Sequence, residues 1–160
     1  MTCRSDTDDL TATEREAVED VVRRALEASR DAERNGIAAA IVTGDTILEI
    51  AENEVNLQGD PTCHAEMVLI SRVTKALDRK QLSECTLISS LQPCEMCLAA
   101  MRFAGISRLI YCARQENVAT KYFAFPGLTI QTFLSCGDAF TQIGGIMEDA
   151  VLHLYEDGDE

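Results

Sequence analysis

Pro93-Cys94-Glu95-Met96-Cys97 is the stretch on which the fold of this chain depends. It follows a predicted strand at residues 86–90 and opens a predicted helix that runs through Ala104 and stops at Gly105. A second piece, His64-Ala65-Glu66, opens another predicted helix about 30 residues earlier, a separation typical of a helix-plus-strand crossover. The fold must therefore bring the two pieces together.

The rest of the chain alternates between predicted strands and helices. Thr11 or Thr13 caps a first helix that ends at Gly36, and Gly44-Asp45 is a hairpin signal. The other predicted elements are strands at 37–42, 47–55 and 109–112, a helix at 128–134, an extended segment at 140–146 and a helix at 148–155. This pattern favours a single α/β domain over residues 1–160 in three α/β/α layers, with flexible acidic ends at 1–10 and 156–160.

The two helix starts combine three metal-ligand side chains, His64, Cys94 and Cys97, with one carboxylate, Glu66. A structural zinc is normally closed by four protein ligands, whereas a catalytic zinc keeps three and leaves the fourth position to water. Zinc lowers the pKa of that water to about 7, and we expect Glu66 to take the water proton and pass it to the substrate as general acid/base. The sequence thus predicts one catalytic Zn²⁺ per chain.

Other interpretations of the same residues stay open. Cys63 adjoins His64 and could close the site with a third sulfur, although adjacent side chains on a helix diverge. A closed site would indicate a zinc-binding module without catalysis. A strand followed by C-x-x-C and a helix also describes a dithiol oxidoreductase that uses Cys94 and Cys97.

The charge distribution bears on the partners of the protein. The chain contains 14 basic and 27 acidic residues, a net charge of −13, and after Arg114 it has a single base, Lys121. Because nucleic-acid binders gain affinity from Lys and Arg on phosphates, we expect a small-molecule substrate and neither transfer RNA nor single-stranded DNA. The sequence shows no membrane span or signal-peptide core, and its seven cysteines lack the density of a disulfide scaffold, which predicts a cytoplasmic protein with reduced thiols.

The motifs resemble those of the cytidine-deaminase-like superfamily, in the branch with guanine deaminases, tRNA adenosine deaminases and fungal-type cytosine deaminases. Residues 60–66, D-P-T-C-H-A-E, and residues 92–97, Q-P-C-E-M-C, carry the resemblance, and H-x-E with P-C-x-x-C is the established signature of zinc-dependent nucleobase deaminases. The resemblance implies a central five-stranded mixed sheet in which the fifth strand runs parallel to the fourth. Gln92 departs from the branch, which usually has Glu at this position.

The resemblance also implies a hydrolytic deaminase that releases ammonia from a small aminated heterocycle. Gly144-Gly145-Ile146 resembles the last strand of the purine-acting members, so we expect a purine-type base such as guanine, or its nucleoside. Cytosine, a pterin or an aminotriazine is the alternative substrate, and tRNA adenosine editing is the alternative of another class. Asn53 stands where the family places an asparagine that contacts the base, and the other predicted substrate-binding residues are Ala65, Phe123 and Phe125.

Two apolar groups have alternative roles. The aromatic residues in 122–125 could stack on a flat heterocycle, pack in the core or form a dimer contact. The resembled branch forms homodimers through the helices that carry the zinc ligands. Leu98, Met101, Phe103 and Ile106 lie along or just beyond such a helix and exceed what one helix face can bury, so we expect a homodimer.

Overall fold

A computed structural model describes residues 7–31 and 35–156 of the chain. Its centre is one five-stranded sheet with the strand order β2-β1-β3-β4-β5. The strands are β1 (Ala38–Thr43), β2 (Thr46–Glu52), β3 (Cys85–Leu91), β4 (Arg108–Ala113) and β5 (Thr141–Ile143). β1 is antiparallel to β2 and β3, whereas β3, β4 and β5 are parallel, which confirms the mixed sheet and the parallel fifth strand.

Helices cover both faces of this sheet. They are α1 (Ala12–Ala28), α2 (Val55–Gln58), α3 (Ala65–Leu77), α4 (Glu95–Phe103), α5 (Ile130–Ser135) and α6 (Glu148–Val151). Because successive side chains of a strand point to opposite faces, Leu87 packs in one core with α3 and α4, and Ile88 packs in the other core with α1 and α6. The predicted three-layer α/β/α arrangement is confirmed.

The first helix begins as predicted but ends earlier. Thr11 forms a capping box with Glu14, in which each side chain accepts a hydrogen bond from the other residue's backbone N–H (3.1 and 2.9 Å). The helix ends at Ala28, and Ser29 closes it by donating its backbone N–H to Ala25 and its hydroxyl to Leu26. The predicted end at Gly36 was therefore wrong; residues 32–34 of that prediction lie outside the described residues.

Two predicted extended segments are shorter than their apolar patterns suggested. β2 ends at Glu52 because the Asn53 side chain accepts the backbone N–H of Val55 (3.0 Å) and starts the short helix α2. β5 ends at Ile143 because the chain turns at Gly145 (φ 83°) and Met147 (φ 52°), both in the left-handed region. Within the ends predicted to be flexible, Thr7–Asp9 forms a 3₁₀ turn, whereas residues 1–6 and 157–160 lie outside the described residues.

The apolar residues of α4 correct one argument for a dimer. Leu98, Met101 and Ile106 are buried in the chain's own core, with 2%, 0% and 0% of their surface exposed. Only Phe103 of the four predicted contacts lies at the surface, where it is 86% exposed. Three of the four residues therefore pack within the chain, and of the four only Phe103 is left to support the expected dimer contact. Among the described helices, none has the length and apolar character needed to cross a membrane.

Candidate metal centre and cavity

The three predicted metal ligands lie at the starts of two neighbouring helices. His64 is the N-cap residue of α3 and Cys94 is the N-cap residue of α4, and their carbonyls accept the first helical hydrogen bonds, from Val68 and Leu98. Cys97 follows on the first turn of α4. This arrangement agrees with the predicted helix starts, and it leaves backbone N–H groups and the positive helix ends beside the sulfurs.

The loop before α3 is held by short-range hydrogen bonds. The Asp60 carboxylate accepts the backbone N–H of Thr62 (2.8 Å) and its hydroxyl (2.7 Å). The backbone N–H of His64 then donates to the Thr62 carbonyl (2.9 Å). Asp60-Pro61-Thr62 therefore fixes the direction in which the chain enters α3, and with it the position of His64.

The spacing of the three ligand atoms fits zinc. His64 Nδ1 lies 3.5 Å from Cys94 Sγ and 3.7 Å from Cys97 Sγ, and the two sulfurs are 3.6 Å apart. Tetrahedral zinc with ordinary Zn–S and Zn–N bonds requires about 3.8 Å between sulfurs and about 3.6 Å between sulfur and nitrogen. Among the described residues this is the one group of three or more such side chains close enough to hold a metal, and Cys63 is not part of it.

The two cysteines of the group differ in acidity. The hydrogen bond between Cys94 and Cys97, opposed by burial and assisted by His64, lowers the pKa of Cys94 to about 4. The same hydrogen bond, together with burial, raises the pKa of Cys97, and the contact with Cys94 raises the pKa of His64. Cys94 is thus the more acidic of the two sulfurs, and a metal that binds both sulfurs requires both as thiolates.

Glu66 lies beside the metal group without belonging to it. Its side chain is buried on the first turn of α3, with 3% of the residue exposed. Oε1 accepts a hydrogen bond from the Ser89 hydroxyl (2.8 Å), and Oε2 lies 3.4 Å from Cys97 Sγ. Burial raises the pKa of Glu66, so this carboxylate holds a proton more readily than an exposed one.

A cavity of about 580 Å³ opens in front of these groups. His64, Glu66 and Cys94 contribute to one side of its lining, and Asn53 also lines it. Because Asn53 Oδ1 already accepts the N–H of Val55, the amide group of Asn53 is the part that can donate to a bound molecule. The arrangement therefore combines a three-ligand metal group, a buried carboxylate and a hydrogen-bond donor around one space.

Three predicted substrate contacts lie elsewhere. Ala65 is fully buried and Phe123 is buried against Cys94 and Cys97, while Phe125 is 64% exposed and donates its backbone N–H to Glu95 (2.7 Å). None of these three residues lines the cavity. Their predicted contact with the substrate has no support in this structure. Phe123 packs in the core instead.

Sequence reasoning missed several residues around the cavity. Leu154 and Tyr155, from the end of the chain, line it and were not predicted, whereas Tyr122, which also lines it, belongs to the aromatic segment 122–125, for which stacking on a heterocycle was one predicted role. Ser89, the hydrogen-bond partner of Glu66, was not predicted either. A polar residue inside a buried strand was the available signal for Ser89, whereas the contact of Tyr155 with the cavity arises from a distant part of the chain and has no local pattern.

Comparison with known proteins identifies the family of this chain. The model of the cytidine and deoxycytidylate deaminase zinc-binding region matches residues 13–113, and the chain belongs to this family. Guanine deaminase of Bacillus subtilis (strain 168) is 36% identical over 85 residues, which are 53% of this chain and 54% of the relative. A tRNA-specific adenosine deaminase of Aquifex aeolicus (strain VF5) is 37% identical over 81 residues, 51% of this chain and 54% of the relative. The matched stretch thus spans about half the length of these relatives.

Solved structures show the same fold. A structure from a study of tRNA:A34 deaminases superposes with a TM-score of 0.75 and 28% identity, covering 88% of this chain and 99% of that one. The structure of guanine deaminase from Bacillus subtilis gives a TM-score of 0.61 and 30% identity, covering 67% of each chain. The predicted resemblance and the cytidine-deaminase-like fold are confirmed, and the family model describes a zinc-binding region, in accord with the His/Cys/Cys group.

Proposed function

We propose that the protein is a zinc-dependent hydrolytic deaminase of a small aminated heterocycle. The observation that carries this proposal is the shared cavity, which His64 and Cys94 of the metal group line together with the buried Glu66. A closed zinc module would need a fourth protein ligand, and the described residues place none beside the other three. Bound zinc that protects the thiols of Cys94 and Cys97 from oxidation would argue against a dithiol oxidoreductase.

The side chains can divide the chemistry between them. His64, Cys94 and Cys97 would hold the zinc ion, which when bound would acidify a water molecule for attack on the carbon that bears the amino group. Glu66 takes a proton from the attacking water, gives it to a ring nitrogen of the substrate and assists the departure of ammonia. The Asn53 amide donates a hydrogen bond to an acceptor on the substrate ring. A substrate must therefore carry an amidine-like carbon near the metal and an acceptor near Asn53.

For the substrate we favour a purine-type base such as guanine, or its nucleoside. The support is the parallel fifth strand, the C-terminal residues Leu154 and Tyr155 on the cavity wall, and the similarity to guanine deaminase. Cytosine, pterins and aminotriazines share the amidine-like carbon and are the alternatives. An ammonia-release screen over free bases, nucleosides, pterins and triazines tests this choice, and activity on cytosine or cytidine alone would contradict the purine assignment.

The acid/base role of Glu66 is tested by Glu66→Gln. This variant should keep about one zinc per chain and lose ammonia release by roughly 10²–10⁴-fold, because general acid/base catalysis is worth that much. Glu19→Gln, on the exposed side of α1, is the matched control and should behave like the wild-type protein. Full activity of Glu66→Gln, or an active wild-type protein without zinc, would contradict the assignment.

Transfer RNA editing is the second candidate function, because almost the whole of a tRNA:A34 deaminase chain superposes on this one. The charges argue against it. Four arginines, Arg24, Arg72, Arg108 and Arg114, are each within 4 Å of a glutamate carboxylate, so their charge is largely compensated. Lys121 is the single Lys or Arg among the described residues that line the cavity. We therefore propose that nucleic acid is not a substrate.

Two measurements distinguish the candidates. Treatment of an anticodon stem-loop should give no inosine, and a gel-shift titration at physiological salt should give no submicromolar binding of transfer RNA. Either signal would contradict the charge argument and make editing the preferred function.

We also propose a homodimer. The structure leaves two aromatic side chains exposed near opposite ends of α4: Phe103 at its last residue, and Phe125 beside Glu95 at its first. Light scattering should give the mass of two chains at micromolar concentration, and Phe103→Ser should weaken the association. A monomer with full activity would contradict the proposal.

A further inference from the structure

Two consecutive serines at the end of β3 serve opposite faces of the sheet. Ser89 and Ser90 both have no exposed surface. Ser89 faces the α3 and α4 layer, where its hydroxyl donates to Glu66 Oε1 (2.8 Å). Ser90 faces the other layer, where its oxygen accepts the backbone N–H of Ala38 (3.1 Å) and lies 2.8 Å from the Tyr155 hydroxyl. Of the two serines, only Ser89 is therefore in contact with Glu66, the proposed acid/base.

The strand holds the Ser89 hydroxyl in a fixed place. Ser89 is in the interior of the sheet, paired with Ala39 of β1 on one side and with Tyr111 of β4 on the other. A short side chain on such a strand has a single rotatable bond to its hydroxyl oxygen, whereas the Glu66 side chain has three. The rigid partner in this hydrogen bond is thus Ser89, and Glu66 is the partner that needs to be held.

The two oxygens of Glu66 have different surroundings. Oε1 accepts the Ser89 hydroxyl, and Oε2 is on the side of the metal group, 3.4 Å from Cys97 Sγ. Rotation of the carboxylate or a change of side-chain rotamer would break the contact with Ser89. The hydrogen bond therefore selects the orientation in which Oε2 faces the metal group.

We propose that Ser89 is a positioning residue for Glu66, an inference that rests on the proposed deaminase function. Ser89 holds Oε1 so that Oε2 takes the proton from the attacking water, as that O–H bond breaks, and passes it to the substrate ring nitrogen. Ser89 keeps its own proton throughout and touches neither the substrate nor the metal. Loss of its hydroxyl should lower the rate of the chemical step and leave substrate binding and zinc binding intact.

The test uses three variants that separate the hydroxyl from side-chain volume. Ser89→Ala removes the hydroxyl, while Ser89→Thr and Ser89→Val have the same shape and differ in the hydroxyl alone. Thr86→Val removes another buried hydroxyl from the same strand, one that contacts Glu14 at 3.3 Å instead of Glu66, and is the matched control. For each protein, kcat, KM and zinc per chain are measured with the best substrate of the ammonia-release screen, at a temperature where all are folded.

We expect kcat of Ser89→Ala and Ser89→Val to fall by about 10- to 100-fold, the usual effect of removing a hydrogen bond that orients a catalytic group. KM and zinc content should stay within about twofold of the wild type, since Ser89 contacts neither ligand nor substrate. Ser89→Thr should recover most of the lost kcat, and Thr86→Val should have the wild-type kcat. If the larger side chains prevent the folding of Ser89→Thr and Ser89→Val, the positioning role is tested by comparing kcat of Ser89→Ala with kcat of Thr86→Val.

The contrary outcomes are distinct. Wild-type kcat in Ser89→Ala would overturn the positioning role and leave the deaminase function in place. A rise in KM alone would make Ser89 a substrate contact, and a loss of zinc would make it a support of the metal group; either result overturns the proposal. A wild-type protein with full zinc and no activity on any compound of the screen would overturn the proposed function and this inference together.

Discussion

The cavity has two sides that are built in different ways. The motif side consists of His64, Glu66 and Cys94, which all lie at helix starts within two short sequence motifs. The assembled side consists of Gly36, Tyr122, Leu154 and Tyr155, which come from three separate parts of the chain. The motif side holds the residues of the proposed chemistry, and the assembled side shapes the space in which a substrate would lie.

Tyr155 connects the members of the assembled side. Its hydroxyl donates to the Gly36 carbonyl (2.5 Å) across 119 residues of sequence and lies 2.8 Å from Ser90 Oγ. Its ring meets the Tyr122 ring edge to face, with 5.6 Å between the ring centroids. The reaction class can therefore be inferred from short motifs, whereas the shape of the cavity that would select a substrate depends on long-range contacts.

Removal of a ligand on the motif side should have the largest effect. Cys97→Ala leaves two of the three metal ligands, which are too few to hold zinc in a catalytic site. We expect zinc per chain to fall to a small fraction of one. Activity should fall by at least about 10⁴-fold, because without zinc the attacking water is not acidified. Metal analysis and ammonia release check this. Cys136→Ala, an exposed cysteine outside the metal group, is the control and should retain both.

Asn53, between the two sides, should give the next largest effect. Asn53→Asp keeps an oxygen that can accept the Val55 N–H but loses the amide donor, so it tests the donor alone. We expect kcat/KM to fall by about 100-fold, or about 3 kcal/mol, because a substrate acceptor is left unpaired or faces a carboxylate. Zinc content should not change. An Asp variant as active as the wild type would show that Asn53 does not donate to the substrate.

A buried ion pair away from both sides should affect stability and leave activity unchanged. Glu14 is 4% exposed and accepts two hydrogen bonds from Arg108, Nε to Oε1 (2.8 Å) and Nη2 to Oε2 (2.9 Å). Glu14→Gln should lower the free energy of unfolding at pH 7 by about 2–3 kcal/mol, because the partly buried Arg108 guanidinium loses the carboxylate that balances its charge and one of its two hydrogen bonds to residue 14. Urea unfolding measures the loss of unfolding free energy. An unchanged kcat/KM at about 25 °C would support the view that the Glu14–Arg108 pair does not affect the cavity.

The same variant should change how stability depends on pH. Burial opposes ionisation of Glu14, but hydrogen bonds from Arg108 and Thr11 outweigh it and keep its pKa below the ordinary value of 4.5. The carboxylate therefore stabilises the folded protein above pH 4.5, and this contribution is lost as pH falls through the lowered pKa of the folded state. The stability difference between wild type and Glu14→Gln should be constant above about pH 5.5 and shrink below pH 4.5. A difference that grows on acidification would contradict this assignment.

The smallest effect should come from a hydroxyl on the assembled side. Tyr155→Phe loses the contacts with the Gly36 carbonyl and Ser90 Oγ and keeps the ring against Tyr122. We expect the free energy of unfolding to fall by about 1 kcal/mol, the net value of a typical intramolecular hydrogen bond. The ratio of its activities on two substrates of the ammonia-release screen should differ from the wild-type ratio. The control variant Cys136→Ala should keep the wild-type ratio. Unchanged stability and unchanged ratios would show that the hydroxyl does not shape the cavity.

Neighbouring layers decided where several apolar residues of the chain lie. Leu98, Met101 and Ile106 have the pattern of an excess apolar face, but the sheet and α3 bury all three. Phe123 and Phe125 follow Tyr122 within three residues, yet Phe123 packs against the cysteines and Phe125 is exposed, so Tyr122 alone of the three lines the cavity. A run of aromatic residues does not specify which ring faces a cavity, because that depends on the surfaces packed against the run.

The sequence by itself determined the helix starts at His64 and Cys94, the grouping of His64, Cys94 and Cys97, the nearby carboxylate of Glu66 and the layered mixed sheet. The helix starts follow from interactions within a few residues, namely helix capping and the spacing of Cys94 and Cys97 on one turn, and the layers follow from the alternation of side chains along a strand. The grouping of His64 with the two cysteines and the mixed sheet were predicted from the match to the motifs of a known family. Only the tertiary structure decided that Ser89 contacts Glu66 across 23 residues and that Tyr155 reaches Gly36 across 119. Such contacts depend on how the layers pack, and no local pattern of residues records that packing.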